Sequence, residues 1–315
     1  MCPAGSGAKE TEMMEAVREE KTCCGPTCCA DTPARTGGTR PVPAAEERSQ
    51  AVRERYGRIA EGTVSGCCGA SASGCASESA VSVGIGYDPG ELAGVPAEAN
   101  LGLGCGAPLG FLSLDPGETV LDLGSGAGLD VFLAARQVGP GGRVIGVDMT
   151  PEMLVRARAS AARIGLSQVE FREGRLEALP VASASIDAVT SNCVINLVPD
   201  KRAVFKEVAR VLRPGGRMVV SDILLDGRLP EAVQQDLLAY VGCVSGAMRR
   251  EEYFALVAGA GLAQVEILRD VDYLASLVES APEEVRELEA RTGVRREEVL
   301  GRVRSVTFRA RKPAA

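Results

Sequence analysis

The 315-residue chain contains no histidine and no tryptophan, and aromatic side chains make up only 3% of it. Histidine is the only side chain whose ordinary pKa lies near neutral pH, so the chain lacks the usual general base of enzymes. Transfer to a hydroxyl or amine acceptor usually needs such a base to take up a proton. The absence of histidine therefore favours chemistry in which the acceptor loses no proton.

Excess positive charge and long apolar runs are also missing. The formal net charge of -7 argues against a nucleic-acid partner. No apolar run approaches the roughly 20 residues that cross a bilayer, and charged residues such as Lys9 and Glu12 interrupt any signal-peptide core. We expect a cytoplasmic protein without a membrane partner, and we expect the basic segment 302–312 to be the exposed face of an edge strand.

Cysteine, by contrast, is abundant, with 11 residues. In the reducing cytosol, these cysteines are not expected to form a permanent disulfide framework. Metal or metalloid binding, or redox chemistry, is the better explanation of their number.

A glycine-rich turn in the sequence VLDLGSGAGLD, residues 120–130, predicts a cofactor site. An apolar strand runs into Gly124, Ser125, Gly126 and Gly128, and a helical pattern follows. Glycines permit a tight turn and let the backbone approach a ligand closely. A second strand ends at Asp148, whose carboxylate can bind ribose hydroxyls. The pattern indicates a cofactor that contains a nucleoside.

The spacing of this motif indicates which cofactor is bound. The dinucleotide pattern is G-x-G-x-x-G, whereas this chain has G-S-G-A-G. Asp122 precedes the first glycine, where a carboxylate repels a pyrophosphate but suits a cation. The motif resembles that of class I S-adenosylmethionine methyltransferases, whose cofactor carries an amino group and a sulfonium. The alternative is an ordinary strand-to-helix turn without a ligand.

The order of the predicted elements indicates an α/β fold with a doubly wound, mostly parallel sheet and a smaller C-terminal α+β domain. The resemblance implies that this is a Rossmann-like methyltransferase sheet. Strands are predicted at 119–123, 143–147, 168–172, 186–191, 216–222, 263–269 and 303–311. Helices are predicted at 46–60, 128–138, 151–164, 200–212, 229–241, 250–260 and 281–300. We expect a flexible cysteine-containing tail at 1–45, a cofactor-binding domain with entrance loops at 46–225, and a cap domain at 226–315.

Three cysteines stand apart from the rest: Cys105 in LGLGCG, Cys193 in SNCVINL and Cys243 in VGCVSG. Cys193 follows a predicted strand and is therefore expected at the mouth of the cofactor cleft. The glycines around Cys105 and near Cys243 predict exposed loop backbone, with Cys105 on a mobile entrance loop. Thiolates select soft acceptors. The alternative is that each cysteine is a small buried hydrophobic residue.

The segments NLGLGCG, SNCVINLVPDK and YVGC resemble the corresponding segments of the arsenite S-adenosylmethionine methyltransferases. The resemblance implies that Cys105, Cys193 and Cys243 hold trivalent arsenic. It also implies a thiol relay through Cys67 or Cys68, between which the sequence does not choose. Arsenite and methylated arsenicals are the implied substrates, and a thiol of the glutathione or thioredoxin type is the implied reductant.

The expected cofactor site combines the motif with the resemblance. Its residues are Asp122, Gly124, Ser125, Gly126, Gly128, Asp148, Met149, Leu176 and Glu177. Arg175 stands where the family often carries an acidic residue.

The expected function is methyl transfer from S-adenosylmethionine to thiolate-bound arsenic(III), and hence arsenic detoxification. One alternative is a thiol-rich protein that sequesters metalloids on a methyltransferase scaffold, and another is a methyltransferase of a different small molecule. The paired cysteines in KTCCGPTCC, which are Cys23, Cys24, Cys28 and Cys29, either bind a soft ion or belong to a dispensable tail.

Overall fold

A computed structural model describes residues 44–64, 77–236, 243–244, 246–280 and 282–314. The predictions about residues 1–43 and about Cys67 and Cys68 lie outside these described residues. The described residues belong to the compact unit Pro41–Ala315.

Eight strands of the described chain form one sheet. The strands are β1 Thr119–Leu123, β2 Arg143–Asp148, β3 Val169–Glu173, β4 Ile186–Asn192, β5 Leu212–Leu225, β6 Met248–Arg249, β7 Ala263–Asp272 and β8 Val303–Arg311. Their order is β3-β2-β1-β4-β5-β8-β7, and β6 pairs with β5. Strands β1 to β6 pair in parallel, and β8 runs antiparallel to both β5 and β7. This confirms the predicted Rossmann-like, mostly parallel sheet.

Helices cover both faces of the sheet and bury its apolar side chains. On one face the helices Lys201–Val211 (α6) and Arg250–Gly259 (α8) pack on the sheet, and on the other Leu129–Val138 (α4) and Pro151–Ile164 (α5) do so. The α-helices are α1 Ala45–Ala60, α2 Glu78–Ile85, α3 Pro89–Leu92, α4 Leu129–Val138, α5 Pro151–Ile164, α6 Lys201–Val211, α7 Glu231–Gln234, α8 Arg250–Gly259, α9 Tyr273–Ser280 and α10 Pro282–Thr292. Short 3-10 helices lie at Ala97–Ala99, Pro108–Phe111, Ile195–Leu197 and Arg296–Glu298. Two packed faces are typical of a doubly wound fold.

The prediction that 302–312 forms an exposed edge strand is wrong. β8 lies between β5 and β7, so β7 is the strand at that edge. The basic side chains of β8 are matched by acids on β7: Arg304 pairs with Asp270 at 2.8 Å, and Arg309 pairs with Glu266 at 3.4 Å. The alternating charges therefore reflect cross-strand ion pairs.

The prediction of one helix over 281–300 is also wrong. α10 ends at Thr292 because Gly293 takes a left-handed φ of 70°, the usual way in which a glycine ends a helix. The preceding helix α9 was not predicted. Of the helix predicted at 229–241, the structure describes Glu231–Gln234 as helical, and residues 237–242 lie outside the described part.

The division into domains 46–225 and 226–315 stays a prediction, although the sheet itself crosses residue 225 through β6, β7 and β8. None of the helices in the described ranges combines the length and apolarity that a bilayer crossing requires.

Candidate functional site

A cavity of about 420 Å³ opens at the carboxyl ends of β1, β2 and β4, which is where ligands bind in open α/β sheets. Its wall includes eleven of the twelve predicted cofactor and cysteine residues. These are Asp122, Gly124, Ser125, Gly126, Asp148, Met149, Leu176, Glu177, Cys105, Cys193 and Cys243. The structure thus brings the glycine-rich turn and the three cysteines to one cavity.

The turn after β1 requires glycine for two different reasons. A side chain on Gly124 would place its Cβ 2.4 Å from a methyl group of Val194. At Gly126, in contrast, the nearest atom to a Cβ would be the sulfur of Met153 at 3.9 Å. Both glycines have positive φ, 70° and 51° respectively. Gly126 therefore leaves open space beside the backbone, as close approach of a ligand requires.

Asp148 shapes this turn from the end of β2. Its carboxylate accepts hydrogen bonds from the Gly126 N–H at 2.9 Å and from the Thr150 N–H at 2.8 Å. Burial raises the pKa of Asp148, and these backbone donors oppose the rise. Since Asp148 also lines the cavity, one carboxylate both fixes the turn and faces the ligand space.

Gly128 does not line the cavity, unlike the other glycines of the motif. A Cβ at this position would lie 2.9 Å from the ring of Phe171 and 3.0 Å from the ring of Phe132. Gly128 has φ 96° and precedes the first residue of α4. Its role is to let the helix pack against the sheet, which is the third function of glycine in such turns.

Alanine substitutions should separate these two roles. We expect Gly128→Ala to lower the free energy of unfolding by about 3 kcal/mol, through left-handed strain plus overpacking. Gly126→Ala should cost only about 1 kcal/mol of stability but weaken binding of the expected cofactor S-adenosylmethionine at least tenfold. Denaturant unfolding and isothermal titration measure the two quantities. The reverse pattern would contradict the assignment.

Carboxylates make the cofactor end of the cavity electrostatically suited to a cation. Burial, followed by the charges of Asp130 and Asp148, raises the pKa of Asp122 well above its usual range. Burial also raises the pKa of Asp130 to about 6. The buried carboxylates of Asp122 and Asp130 and the half-buried one of Asp148 repel one another, and a positively charged ligand relieves that repulsion.

The remaining predicted cofactor residues differ in how they face the cavity. Leu176 is 6% exposed and packs mainly in the core. Glu177 pairs with Arg175 at 3.2 Å, and both line the cavity. Ser125 lines it as well, but its hydroxyl oxygen lies 2.7 Å from the position a Cβ would take at Gly146. The Ser125 side chain therefore occupies the space that a side chain at Gly146 would need.

The expectation that Cys105 and Cys243 lie on exposed backbone is wrong, because they are only 4% and 3% exposed. The glycines beside Cys105 serve close packing. A Cβ on Gly104 would lie 2.7 Å from the Asn192 amide nitrogen, and one on Gly106 would lie 2.6 Å from the Ser221 hydroxyl. The loop that carries Cys105 is thus packed against β4 and β5 and is not an exposed entrance loop.

The three thiols form a connected group with Cys193 in the middle. Cys193 acts on the pKa of both other thiols, lowering that of Cys105 and raising that of Cys243. The Cys243 thiol also lies 2.8 Å from the carbonyl oxygen of Cys193, to which it donates. Cys193 and Cys243 have φ of 59° and 68°, a conformation that costs about 1–2 kcal/mol for a non-glycine residue. Such strain is typical of functional sites.

Their surroundings keep these thiols protonated in the free protein. Burial raises the pKa of Cys105. The hydrogen bond with Cys105 raises that of Cys193, and the hydrogen bond with Cys193 raises that of Cys243. Among the described residues, no three Cys, Asp or Glu side chains are arranged to hold a resident metal ion. Because the thiols are protonated, any soft ligand must take up their protons when it binds.

A hydrogen-bond network that the sequence did not reveal connects the cysteine loop to the cofactor turn. The Asn192 side chain accepts from the Cys105 N–H at 3.0 Å and donates to the Tyr87 hydroxyl at 2.9 Å. Tyr87 in turn donates to Asp130 at 2.8 Å. The available signals were the position of Asn192 next to Cys193 and a tyrosine within a glycine-rich stretch. Neither signal identifies its partners.

Comparison with known proteins places the chain among methyltransferases. A family model described as a methyltransferase domain matches residues 114–285. An arsenite methyltransferase from Halobacterium salinarum is 41% identical over 231 residues, which cover 70% of this chain and 59% of that relative. The human arsenite methyltransferase is 35% identical over 143 residues, covering 42% of this chain and 38% of the relative. The chain thus spans about six tenths or less of the length of these curated relatives.

One solved structure is similar over most of its length. An arsenic(III) S-adenosylmethionine methyltransferase from Chlamydomonas reinhardtii superposes with a TM-score of 0.57 at 33% identity. The superposition covers 72% of this chain and 73% of that structure.

Proposed function

Because the chain belongs to the arsenite methyltransferase family of class I S-adenosylmethionine-dependent methyltransferases, we propose that it transfers a methyl group to arsenic(III) held by Cys105, Cys193 and Cys243. The observation that carries this proposal is that these three thiols and the glycine-rich turn line the same cavity. A protein that only sequesters a metalloid needs no cofactor cavity next to its thiols.

The cofactor end of the cavity fits S-adenosylmethionine on two counts. The carboxylates of Asp122, Asp130 and Asp148 favour a cation, and the open space beside Gly126 allows close approach of a ligand. Asp148 is the residue expected to bind the ribose hydroxyls. When bound, the cofactor supplies an electrophilic methyl group on a sulfonium sulfur.

The thiol group suits arsenite because the exchange is electrically neutral. Each thiol replaces one hydroxyl of arsenite, and the thiol proton leaves with that hydroxyl as water. Three protonated thiols therefore need no separate base, in keeping with the absence of histidine. The lone pair of arsenic then faces the methyl donor, and catalysis consists largely of holding the reacting atoms about 3–3.5 Å apart.

Further partners belong to the same proposal. Each methyl transfer raises the formal oxidation state of arsenic, so two electrons are needed to restore the trivalent state. We propose that a small thiol or a thioredoxin-type protein supplies them through Cys67 or Cys68, which lie outside the described residues. A cytoplasmic location and the absence of membrane and nucleic-acid partners stay predictions.

The proposal is tested by incubating the purified protein with arsenite, S-adenosylmethionine and a thiol, followed by chromatographic separation of the arsenic species. Methylated arsenic should accumulate together with an equal amount of S-adenosylhomocysteine. Loss of free arsenite without S-adenosylhomocysteine would favour the sequestering alternative. Methylation of another acceptor, with arsenite unchanged, would favour a different small-molecule substrate.

Deleting residues 1–43 should leave the rate of arsenite methylation within about twofold of the full chain. The N-cap residue of α1, Ala44, makes no side-chain hydrogen bond to the helix, and the first described residue that lines the cavity is Ser49. The deletion removes Cys23, Cys24, Cys28 and Cys29. A large fall in rate that Ser substitution of these four cysteines reproduces would show that they take part in the chemistry.

A further inference from the structure

The proposed function leaves one fully buried acid beside the cysteines without a role. Asp222 lies on β5 and is 0% exposed. The backbone N–H of Cys193 donates at 2.8 Å to the carbonyl of Ser221, the residue before Asp222. Asn196, three residues after Cys193, donates to the Asp222 carboxylate at 2.8 Å. Asp222 therefore lies directly against the segment that carries the central thiol.

The hydrogen-bond donors to Asp222 are all neutral. They are the Asn196 side-chain amide at 2.8 Å, the Ile223 N–H at 3.0 Å, the Tyr253 hydroxyl at 2.9 Å and the backbone N–H of Asn196. Lys201, which is 8% exposed, interacts with it electrostatically but donates to two backbone carbonyls, at 3.2 Å each. The carboxylate is thus rigidly held, yet its charge is only partly compensated. Burial raises its pKa to about 7.

The negative charge of Asp222 acts on the whole thiol group. It contributes to the raised pKa of Cys105, of Cys193 and of Cys243. A carboxylate in this place opposes the formation of thiolates, so it does not serve to activate the free cysteines. A positive charge at the centre of the three sulfurs is what it would stabilise.

We propose that the Asp222 carboxylate stabilises the positive charge that arsenic acquires during methyl transfer. This inference rests on the proposed function. In that step the lone pair of arsenic forms the As–C bond, the C–S bond of the sulfonium breaks, and its electron pair stays on sulfur. The sulfur becomes a neutral thioether, and arsenic bound to three thiolates and one methyl group carries the positive charge. No proton moves, and no outside electron is needed.

The effect should be confined to this step. A buried cation is costly unless an opposite charge lies near it, and a fixed group stabilises charge that develops in a transition state without reorganisation. Arsenite binding creates no net charge and should not depend on Asp222. Asp222 therefore compensates the charge on arsenic, whereas the three thiols hold the substrate.

The test compares three variants of the full chain. Asp222→Asn removes the charge but keeps the shape, Tyr253→Phe removes one hydrogen bond but keeps the charge, and Asp222→Glu restores the charge. Calorimetry measures arsenite binding, and rapid quenching after mixing with methyl-labelled S-adenosylmethionine measures the single-turnover rate. We expect Asp222→Asn to bind arsenite within about twofold of wild type but to transfer methyl about a hundredfold more slowly. Tyr253→Phe should stay within about threefold, and Asp222→Glu should regain part of the rate.

Three results would overturn the inference alone: an Asp222→Asn rate close to wild type, an arsenite affinity that falls as much as the rate, or a Tyr253→Phe loss equal to that of Asp222→Asn. If Asp222→Asn does not fold, Asp222→Ser removes the charge with a smaller polar side chain. A wild-type protein that binds both ligands and transfers no methyl to arsenic would instead overturn the proposed function, and the inference with it.

Discussion

Cys193→Ser is expected to abolish methylation of both arsenite and methylarsonous acid, with a fall in rate of at least about a hundredfold. Arsenite has three replaceable oxygen positions, whereas arsenic that already carries a methyl group has only two. Cys193 acts on the pKa of both other thiols, so it can form a thiol pair with either of them. Serine has a similar size but is a poor ligand for a soft metalloid. Initial rates on each substrate under reducing conditions measure the effect.

Cys105→Ser is the matched control. It leaves the linked pair Cys193 and Cys243 intact, which is enough for a substrate with two replaceable positions. We expect this variant to lose arsenite activity but to convert methylarsonous acid at a rate within about tenfold of wild type. Equal loss on both substrates, or full arsenite activity in Cys193→Ser, would overturn this division of roles.

Asp148→Ala is expected to weaken S-adenosylmethionine binding about tenfold to a hundredfold, because a hydrogen bond to a charged group contributes about 1.5–3 kcal/mol. The loss should approach the upper figure because the same carboxylate also fixes the Gly126 and Thr150 N–H groups. Isothermal titration with the cofactor measures the affinity.

Asp187→Ala provides the control for the loss of a structural carboxylate. Asp187 also accepts a backbone hydrogen bond, from the Thr119 N–H at 2.8 Å, and pairs with Arg213 at 2.6 Å. It does not line the cavity. Its variant should lose some stability and keep its cofactor affinity. If both variants lose affinity equally, Asp148 acts on the fold and not on the ribose.

The sequence predicts the sheet and its flanking helices well where local signals mark each boundary. Strands 119–123 and 303–311 and helix 151–164 have the predicted bounds. Pro151 is the first residue of this helix, and Gly165 follows its last residue. Proline at the start and glycine just past the end are the residues that helix geometry favours at these positions. The glycine motif likewise identifies the cavity before any coordinates are known.

The wrong predictions share a physical cause, because each concerns a feature that depends on residues distant in the sequence. β8 lies inside the sheet because it pairs with both β5 and β7, and no local pattern encodes that pairing. The burial of Cys105 depends on the approach of Asn192 and Ser221 to its flanking glycines. A glycine-rich composition is equally compatible with an exposed loop and with closely packed backbone. Asp222 gives no signal at all in the sequence, since a lone acid in a strand has no periodic pattern.

The arsenic–sulfur bonds themselves provide the most direct test, because every step of the account requires arsenite to bind to these three thiols. X-ray absorption spectroscopy at the arsenic edge, with one equivalent of arsenite bound to the reduced protein, counts the sulfur and oxygen neighbours. The account predicts three sulfur neighbours and no oxygen in the wild-type protein, and two sulfurs with one oxygen in Cys105→Ser. Three sulfur neighbours in both Cys105→Ser and Cys193→Ser would place arsenite on other cysteines and contradict the account.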